Sequence, residues 1–463
     1  MIAFFRSLDP IKFIALLLLL LALRLPLILM GIPLIEPELY WLLIGEKMKH
    51  GFSMYIDVYD TLAPFSAGTY YLLSFFGKSQ VVLQVASLVV VLIQASIFNY
   101  TANLHNIFKE KTLIPALVYL TVSCLFFDFY TLSPAMLATT LILLGFQLLL
   151  AQIRDAPTNE SIFYTGLLVG FASLFYLPAA LFLVVIVLAL LLYSSSTLKF
   201  ITLLLVGALF PLLCVGVYYY LIDGPYDFIN NFFTTFFYIK AVYYMPFNQL
   251  LLVLALPALL TLCSIVVVSA SKLTNFQYTV MRIMLAWLLF AGSTFLATDQ
   301  VAPFQLYLMV PPISYFGVQF FMLIRRQALA DLLFLVFLLL VVAFNYGSYH
   351  LGFNTTNGIS YKTINTNIKR DIQGKHLLVI GDDAGLYVGN SMATPYINWQ
   401  LTEGQLGVLN NYYNMSAIHR NFKNDMPDVI VDEKGIAPQL FYHLPLLEKE
   451  YRLERENVYV RKP

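Results

Sequence analysis

The sequence predicts an α-helical polytopic membrane protein of about eleven transmembrane helices, followed by a small C-terminal extracytoplasmic α/β domain. Three observations carry that expectation. The 463-residue chain is 60% hydrophobic and only 11% charged, with a mean hydropathy of +0.77. Apolar runs of about 18 to 22 residues recur along it, the length that crosses about 30 Å of hydrocarbon as a helix satisfying its own backbone. From about Gly347 onward the composition shifts to short apolar stretches set between polar turns.

Taken in order, the spans fall near residues 11–31, 81–104, 113–130, 134–153, 161–177, 178–193, 199–221, 249–269, 280–297, 303–324 and 331–347. The first is expected to remain as an anchor, because its apolar core is too long for a cleavable signal and no small-residue cleavage site follows it. Arg6, Lys12, Lys109, Lys111, Arg154, Lys199, Lys272, Arg282, Arg325 and Arg326 all fall on one side of this count. By the positive-inside rule that side is the cytoplasm. The opposite short loops are nearly free of Lys and Arg, Lys240 being the main exception. The loops 32–79 and 222–248 and the whole tail are therefore expected outside. Two domains result: a membrane domain 1–347 with the large outer loop 32–79, and an extracytoplasmic α/β domain 348–463. In the tail, strands are expected at Lys375–Asp383, Pro427–Asp432 and Asn457–Arg461.

Composition also excludes several classes. A net charge of +1 without long basic or acidic runs gives no nucleic-acid partner. Cys124, Cys214 and Cys263 lie in apolar runs without CxxC or Cys/His spacing, as packing residues would. Gly381-Asp382-Asp383-Ala384-Gly385 follows a strand but lacks the nucleotide-loop patterns, and reads as a strand-to-helix turn, with a ligand-binding loop as the alternative. Asn354-Thr355-Thr356 and Asn414-Met415-Ser416 match the glycosylation sequon, a pattern that matters only in a eukaryotic secretory pathway.

The compositional exception is the first outer loop. It holds Glu36, Glu38, Glu46, Asp57 and Asp60 beside many aromatics, and such clusters in membrane proteins tend to be functional. The pattern Glu36-x-x-x-Tyr40, Gly51 a turn later and Asp60-x-x-Ala63-Pro64 follows one membrane span and precedes about ten more and an outer α/β tail. This layout resembles the GT-C glycosyltransferases, and within them bacterial members related to protein O-mannosyltransferases and lipid A aminoarabinose transferases. The likeness covers most of the chain in layout, and residues 24–70, 299–312 and the tail in detail. Counting back from Tyr40, the family's leading Asp falls on Glu36 and its second acidic residue on Pro37, with Glu38 one place later. Around Gln305-Leu306-Tyr307-Leu308-Met309-Val310-Pro311-Pro312 the chain is similar to the family's late segment, with the uncharged Gln305 where an Arg or His often stands.

The resemblance implies an enzyme of the bacterial inner membrane. It would take a sugar from a polyprenyl phosphate and pass it to an envelope lipid, glycan or protein acceptor. Such transfer needs a carboxylate to take or orient the acceptor proton, and cations or a divalent metal such as Mg or Mn to stabilise the departing phosphate. Glu36 is the first choice for the carboxylate, with Glu38, Asp57 or Asp60 as the second acid or a metal contact; the alternative for each is a solvated loop charge or helix cap. Arg24, near the outer end of the first span, is the phosphate-pairing candidate, or an Arg snorkelling to lipid headgroups. Lys240, among Tyr238, Tyr243 and Tyr244, clamps a phosphate or anchors at the interface. Asp128, in Phe126-Phe127-Asp128-Phe129-Tyr130, is a second active-site acid or a cap for the helix starting at Pro134, and Asp299 has a similar standing. Tyr40 and Tyr307 complete the set of substrate-binding candidates. Two other classes fit parts of this pattern. One is a catalytically silent GT-C-like scaffold in an envelope protein complex, since fold does not carry activity; the other is a secondary transporter, which would show mid-span charges and internal repeats.

Overall fold

The computed structural model describes residues 1–155, 158–193, 198–237, 242–269, 271–296, 298, 300–352, 364, 373–393 and 395–462, and each predicted apolar segment carries helix in it. In chain order the helices are α1 Pro10–Met30, α2 Glu36–Lys49, α3 Pro64–Ser74, α4 Gln80–Leu104, α5 Ile114–Val122, α6 Pro134–Arg154 and α7 Asn159–Phe175. They continue with α8 Phe182–Tyr193, α9 Leu198–Leu221, α10 Pro225–Phe237, α11 Phe247–Ser269, α12 Asn275–Ser293, α13 Val310–Leu323 and α14 Gln327–Gly352. Two-residue strands β1 Val242–Tyr243 and β2 Gln300–Val301 pair in parallel. Among the described residues, seven helical segments are long and apolar enough to cross a membrane. The chain is a multi-pass helical membrane protein. Proline sets many helix starts: Pro10, Pro37, Pro64, Pro115 and Pro134 all lie in first turns, where the missing N–H has no intrahelical partner to lose.

The third predicted span, 113–130, is not one helix. It is α5, a turn, and a 3-10 turn at Phe127–Tyr130. Irregular backbone inside a bundle is tolerated only where its carbonyls find donors. Here side chains supply them: Arg24 Nη2 donates to the Ser123 and Phe129 carbonyls at 2.9 and 3.0 Å. Asn345 donates to the Cys124 carbonyl, and Ser87 to that of Tyr130.

The chain divides into two compact units. The first, residues 1–32, 83–217 and 236–361, is the helical body. Within it Gly166 and Gly170 of α7 meet α9 backbone to backbone. A Cβ at either would stand 2.1 or 2.3 Å from the Leu204 or Ala208 carbonyl oxygen, and one at Gly207 would stand 2.4 Å from that of Phe163. This is small-xxx-small packing, in which bare glycines let helices approach closely.

The second unit gathers residues 33–82, 218–235 and 362–463. Its sheet contains β3 His376–Ile380, β4 Ser391–Met392, β5 Val429–Asp432, β6 Tyr451–Arg455 and β7 Val458–Arg461, in the order β4-β3-β5-β7-β6. β3 runs parallel to β4 and β5, while β7 is antiparallel to β5 and β6. Three of these strands stand where the sequence places them. β4 and β6 were not foreseen, one being two residues long and the other largely exposed, so neither shows an apolar run. Helices α15 Trp399–Leu406, α16 Tyr412–Asn424, α17 Ala437–His443 and α18 Pro445–Glu450 complete the domain. Leu378, Ile380, Ile418, Phe422, Ile430 and Leu440 form its core. The region 33–82 joins this unit as helices rather than an open loop. A Cβ on Gly45 would stand 2.4 Å from the Tyr70 carbonyl oxygen, so glycine lets α2 lie against α3, and Trp41 stacks on Tyr70 at 5.4 Å.

Candidate functional site

Glu36 and Glu38 occupy the first turn of α2. There the unpaired amides and the helix dipole favour negative charge. Glu36 is half-buried, and Tyr40, one turn on, donates its hydroxyl to Glu36 Oε1 at 3.0 Å. The i, i+4 spacing visible in the sequence thus becomes a contact. Glu38 is 1% exposed and accepts from Gln80 Nε2 at 2.9 Å. Its charge adds to burial in holding the Tyr70 phenol well above its ordinary range.

Asp57 and Asp60 serve the backbone of the same region. Asp57 accepts from the Ser53 amide at 2.8 Å, closing a tight turn. Asp60 is buried, accepts from the Leu62 amide at 2.8 Å, and faces Asn398 Nδ2 at 3.4 Å. Just before them Tyr55 takes φ 70°, a conformation that costs a non-glycine residue about 1 kcal/mol or more. Its hydroxyl donates to the Leu62 carbonyl at 2.6 Å, and Asn231 Nδ2 donates to its carbonyl at 3.3 Å.

In the helical unit, Arg24, Asp128 and Tyr307 converge on the 3-10 turn that breaks the third span. Arg24 is fully buried; besides the two carbonyls it donates to Ser87 Oγ at 3.0 Å and lies 4.7 Å from the Tyr130 ring centre. These partners are neutral, where the sequence suggested an anion. Its Nε is buried without a hydrogen bond. Asp128 is 2% exposed, and the helix cap proposed for it is supplied by Ser133, which accepts from the Met136 amide at 3.2 Å. Tyr307 packs edge-on against Phe129 at 5.3 Å and donates to Gln94 Oε1 at 2.6 Å, which Tyr119 also reaches at 3.0 Å. Gln305 donates to Thr298 Oγ1 at 2.9 Å and to the Gln300 carbonyl, bracing the approach to Tyr307. Lys240, Asp299 and the sequon at 354–356 lie outside the described residues.

Several polar groups were missed. Gln94 organises two tyrosines from inside an apolar span, and a Gln in such a span is itself the available signal. Asp227 of α10 is half-buried, and burial raises its carboxyl above the ordinary range against the opposing charge of Arg420. Lys47, buried, and Asp425, part-buried, form an ion pair at 2.7 Å. The other Asp425 oxygen lies 2.7 Å from His376 Nε2, whose Nδ1 lies 2.9 Å from Ser391 Oγ. Desolvation lowers the Lys47 ammonium below its usual range, with Asp425 opposing the shift. No local spacing announces a pair 378 residues apart. The Gly381–Gly385 turn binds its own carboxylate: Glu433 Oε2 accepts from the Asp382 and Asp383 amides at 3.0 and 3.2 Å.

A helical membrane body with an acidic helix start after the first span and a mixed-sheet tail is the layout expected of a GT-C-like fold. The chain is similar in structure to ArnT from Cupriavidus metallidurans, whose crystal structure is described as bound to undecaprenyl phosphate. The similarity has a TM-score of 0.50 at 13% sequence identity, covering 75% of this chain and 66% of that one. It is a likeness of fold, and this chain spans somewhat under two thirds of its neighbour's length. No protein-family profile matches the sequence, and no curated protein matches it.

Proposed function

We propose that the protein is a glycosyltransferase of the bacterial cytoplasmic membrane, moving a sugar from a polyprenyl-phosphate donor to an envelope lipid, glycan or protein on the outer face. One observation carries this reading: the fold is shared with a protein solved with a polyprenyl phosphate. The positive-inside distribution supports a cytoplasmic N-terminus, with 32–79 and the domain 348–463 outside. Nucleotide sugars are normally cytoplasmic, so a donor delivered through the bilayer suits an outward-facing acidic helix.

In this proposal Glu36 takes the proton of the acceptor hydroxyl or amine as that atom bonds to the sugar's anomeric carbon. The bond from that carbon to the phosphate oxygen breaks, and the electron pair leaves with the polyprenyl phosphate. Tyr40 fixes the Glu36 carboxylate through its 3.0 Å hydrogen bond. Glu38 and Asp60 supply further negative charge, and Asp57 holds the turn between them. Arg24 holds the turn bearing Asp128 and keeps one donor, Nε, for a phosphate oxygen. Tyr307 walls that turn. Among the described residues no three His, Cys, Asp or Glu side chains form a metal-holding group, and no step here runs through a metal.

The test is saturation binding of a polyprenyl-phosphate sugar to the purified full-length chain. The expected result is saturable binding that a nucleotide sugar does not displace. No detectable binding, or displacement by the nucleotide sugar, contradicts the donor class.

A further inference from the structure

The helical unit contains a cavity of about 960 Å³ whose lining the proposed transfer reaction does not use. It lies where the C-terminal ends of α4 and α6 meet the end of α8 and the start of α12. Lys109, Arg154 and Lys272 line it, and none of its described lining residues is a carboxylate. Arg154 Nη1 donates to the Leu104 carbonyl at 3.2 Å, which holds its guanidinium at the α4 terminus. On the opposite wall Thr274 and Gln277 cap α12 through a reciprocal hydrogen-bonded box, so that this helix presents the positive end of its dipole to the cavity.

His105 is the second, independent observation. It lines the cavity and is 5% exposed, yet neither ring nitrogen makes a hydrogen bond. The Gln147 backbone stands near it, outside hydrogen-bond geometry. Buried polar atoms are nearly always partnered, and each exception calls for a cause. Burial first, and then the charge of Arg154, lower the proton affinity of His105, with Asp155 opposing. A neutral imidazole brings one N–H donor, and a group with several acceptor oxygens would satisfy it together with the three cations.

We propose that this cavity binds a phosphate group, carried either on the headgroup of an anionic phospholipid or on a soluble phosphate ester. Three cations, a helix N-terminus and an idle buried imidazole suit an anion with three or more oxygens better than a single carboxylate. The proposal is independent of the sugar-transfer reading, because the cavity shares none of the residues assigned to transfer.

The test uses the full-length protein in neutral detergent, titrated with phosphatidylglycerol and with phosphatidylcholine of the same acyl chains. Wild type is expected to bind phosphatidylglycerol about tenfold more tightly or better, since each Lys or Arg near an anionic lipid adds attraction. Lys109→Gln with Lys272→Gln is expected to abolish the preference, as is His105→Ala. The exposed pair Arg325→Gln with Arg326→Gln, outside the cavity, is expected to leave it unchanged. Displacement of phosphatidylglycerol by glycerol 3-phosphate identifies a soluble ester as a sufficient occupant; retention of the lipid identifies the headgroup. Equal binding of both lipids by wild type, an unchanged preference in the Lys109/Lys272 variant, or an equal loss in the Arg325/Arg326 variant overturns the proposal. The two lysines are exposed, so their replacement tests the site without disturbing the fold.

Discussion

Glu36 and Tyr40 stand one helical turn apart and share a 3.0 Å hydrogen bond, a pairing readable from Glu36-x-x-x-Tyr40 once a helix starts at Glu36. Asp227 was not readable in this way. The charge it feels is that of Arg420, distant in sequence, and nothing local in Pro225–Phe237 marks it. Its raised carboxyl gives a pH prediction. A folded-state pKa above the ordinary 3.8 means that folding favours the protonated form. That stabilising contribution is fully present below the ordinary value and is lost as pH rises through the raised one. Asp227→Asn, neutral at every pH, should therefore raise the unfolding temperature at pH 7, with the gain shrinking as pH falls toward 4. Thermal unfolding of both proteins across that range checks it; a gain that grows on acidification would contradict the assignment.

At the scale of elements, hydropathy located the apolar segments well but could not show that the third is broken. Leu120, Thr121, Val122, Ser123 and Cys124 look continuous in hydropathy, and only the donors aimed at Ser123, Cys124, Phe129 and Tyr130 explain the interruption. Arg24 is central to that arrangement. Arg24→Ala strands two buried carbonyls and should cost about 3 kcal/mol or more, while Arg24→Lys should recover only part, because an ammonium lacks the planar fork. Unfolding midpoints in detergent decide it; equal stability of all three proteins would remove the carbonyl-holding role. The acidic region offers a parallel case. Lys47→Ala removes the cation from the largely buried Asp425 carboxylate, and should destabilise by about 3 kcal/mol. Lys47→Met and Asp425→Leu together should restore much of that loss. A double variant no more stable than Lys47→Ala would contradict this account of the pair.

For the whole molecule, the sequence shows a membrane body and an α/β tail, but the second compact unit also takes in residues 33–82 and 218–235. That assembly was invisible because it rests on contacts hundreds of residues apart. Lys47 meets Asp425, the Tyr59 amide meets the Pro395 carbonyl, and Lys78 meets the Asn390 carbonyl. The strands β3, β5 and β7 were legible because their apolar runs end in polar turns. The acidic cluster at Glu36 and Glu38 was legible as a compositional exception, but the helix it opens was not, because the region reads as a polar loop between two apolar spans. Sugar transfer with Glu36 as the proton-accepting group is the proposed activity. It is tested most directly by incubating purified full-length protein with a labelled polyprenyl-phosphate sugar and envelope acceptors, wild type beside Glu36→Gln. Wild type should transfer label and release polyprenyl phosphate in equal amounts, and Glu36→Gln should be slower by about 10²-fold or more at unchanged folded yield. No transfer by wild type would favour a silent scaffold or a transporter, and a fully active Glu36→Gln protein would contradict the role given to Glu36.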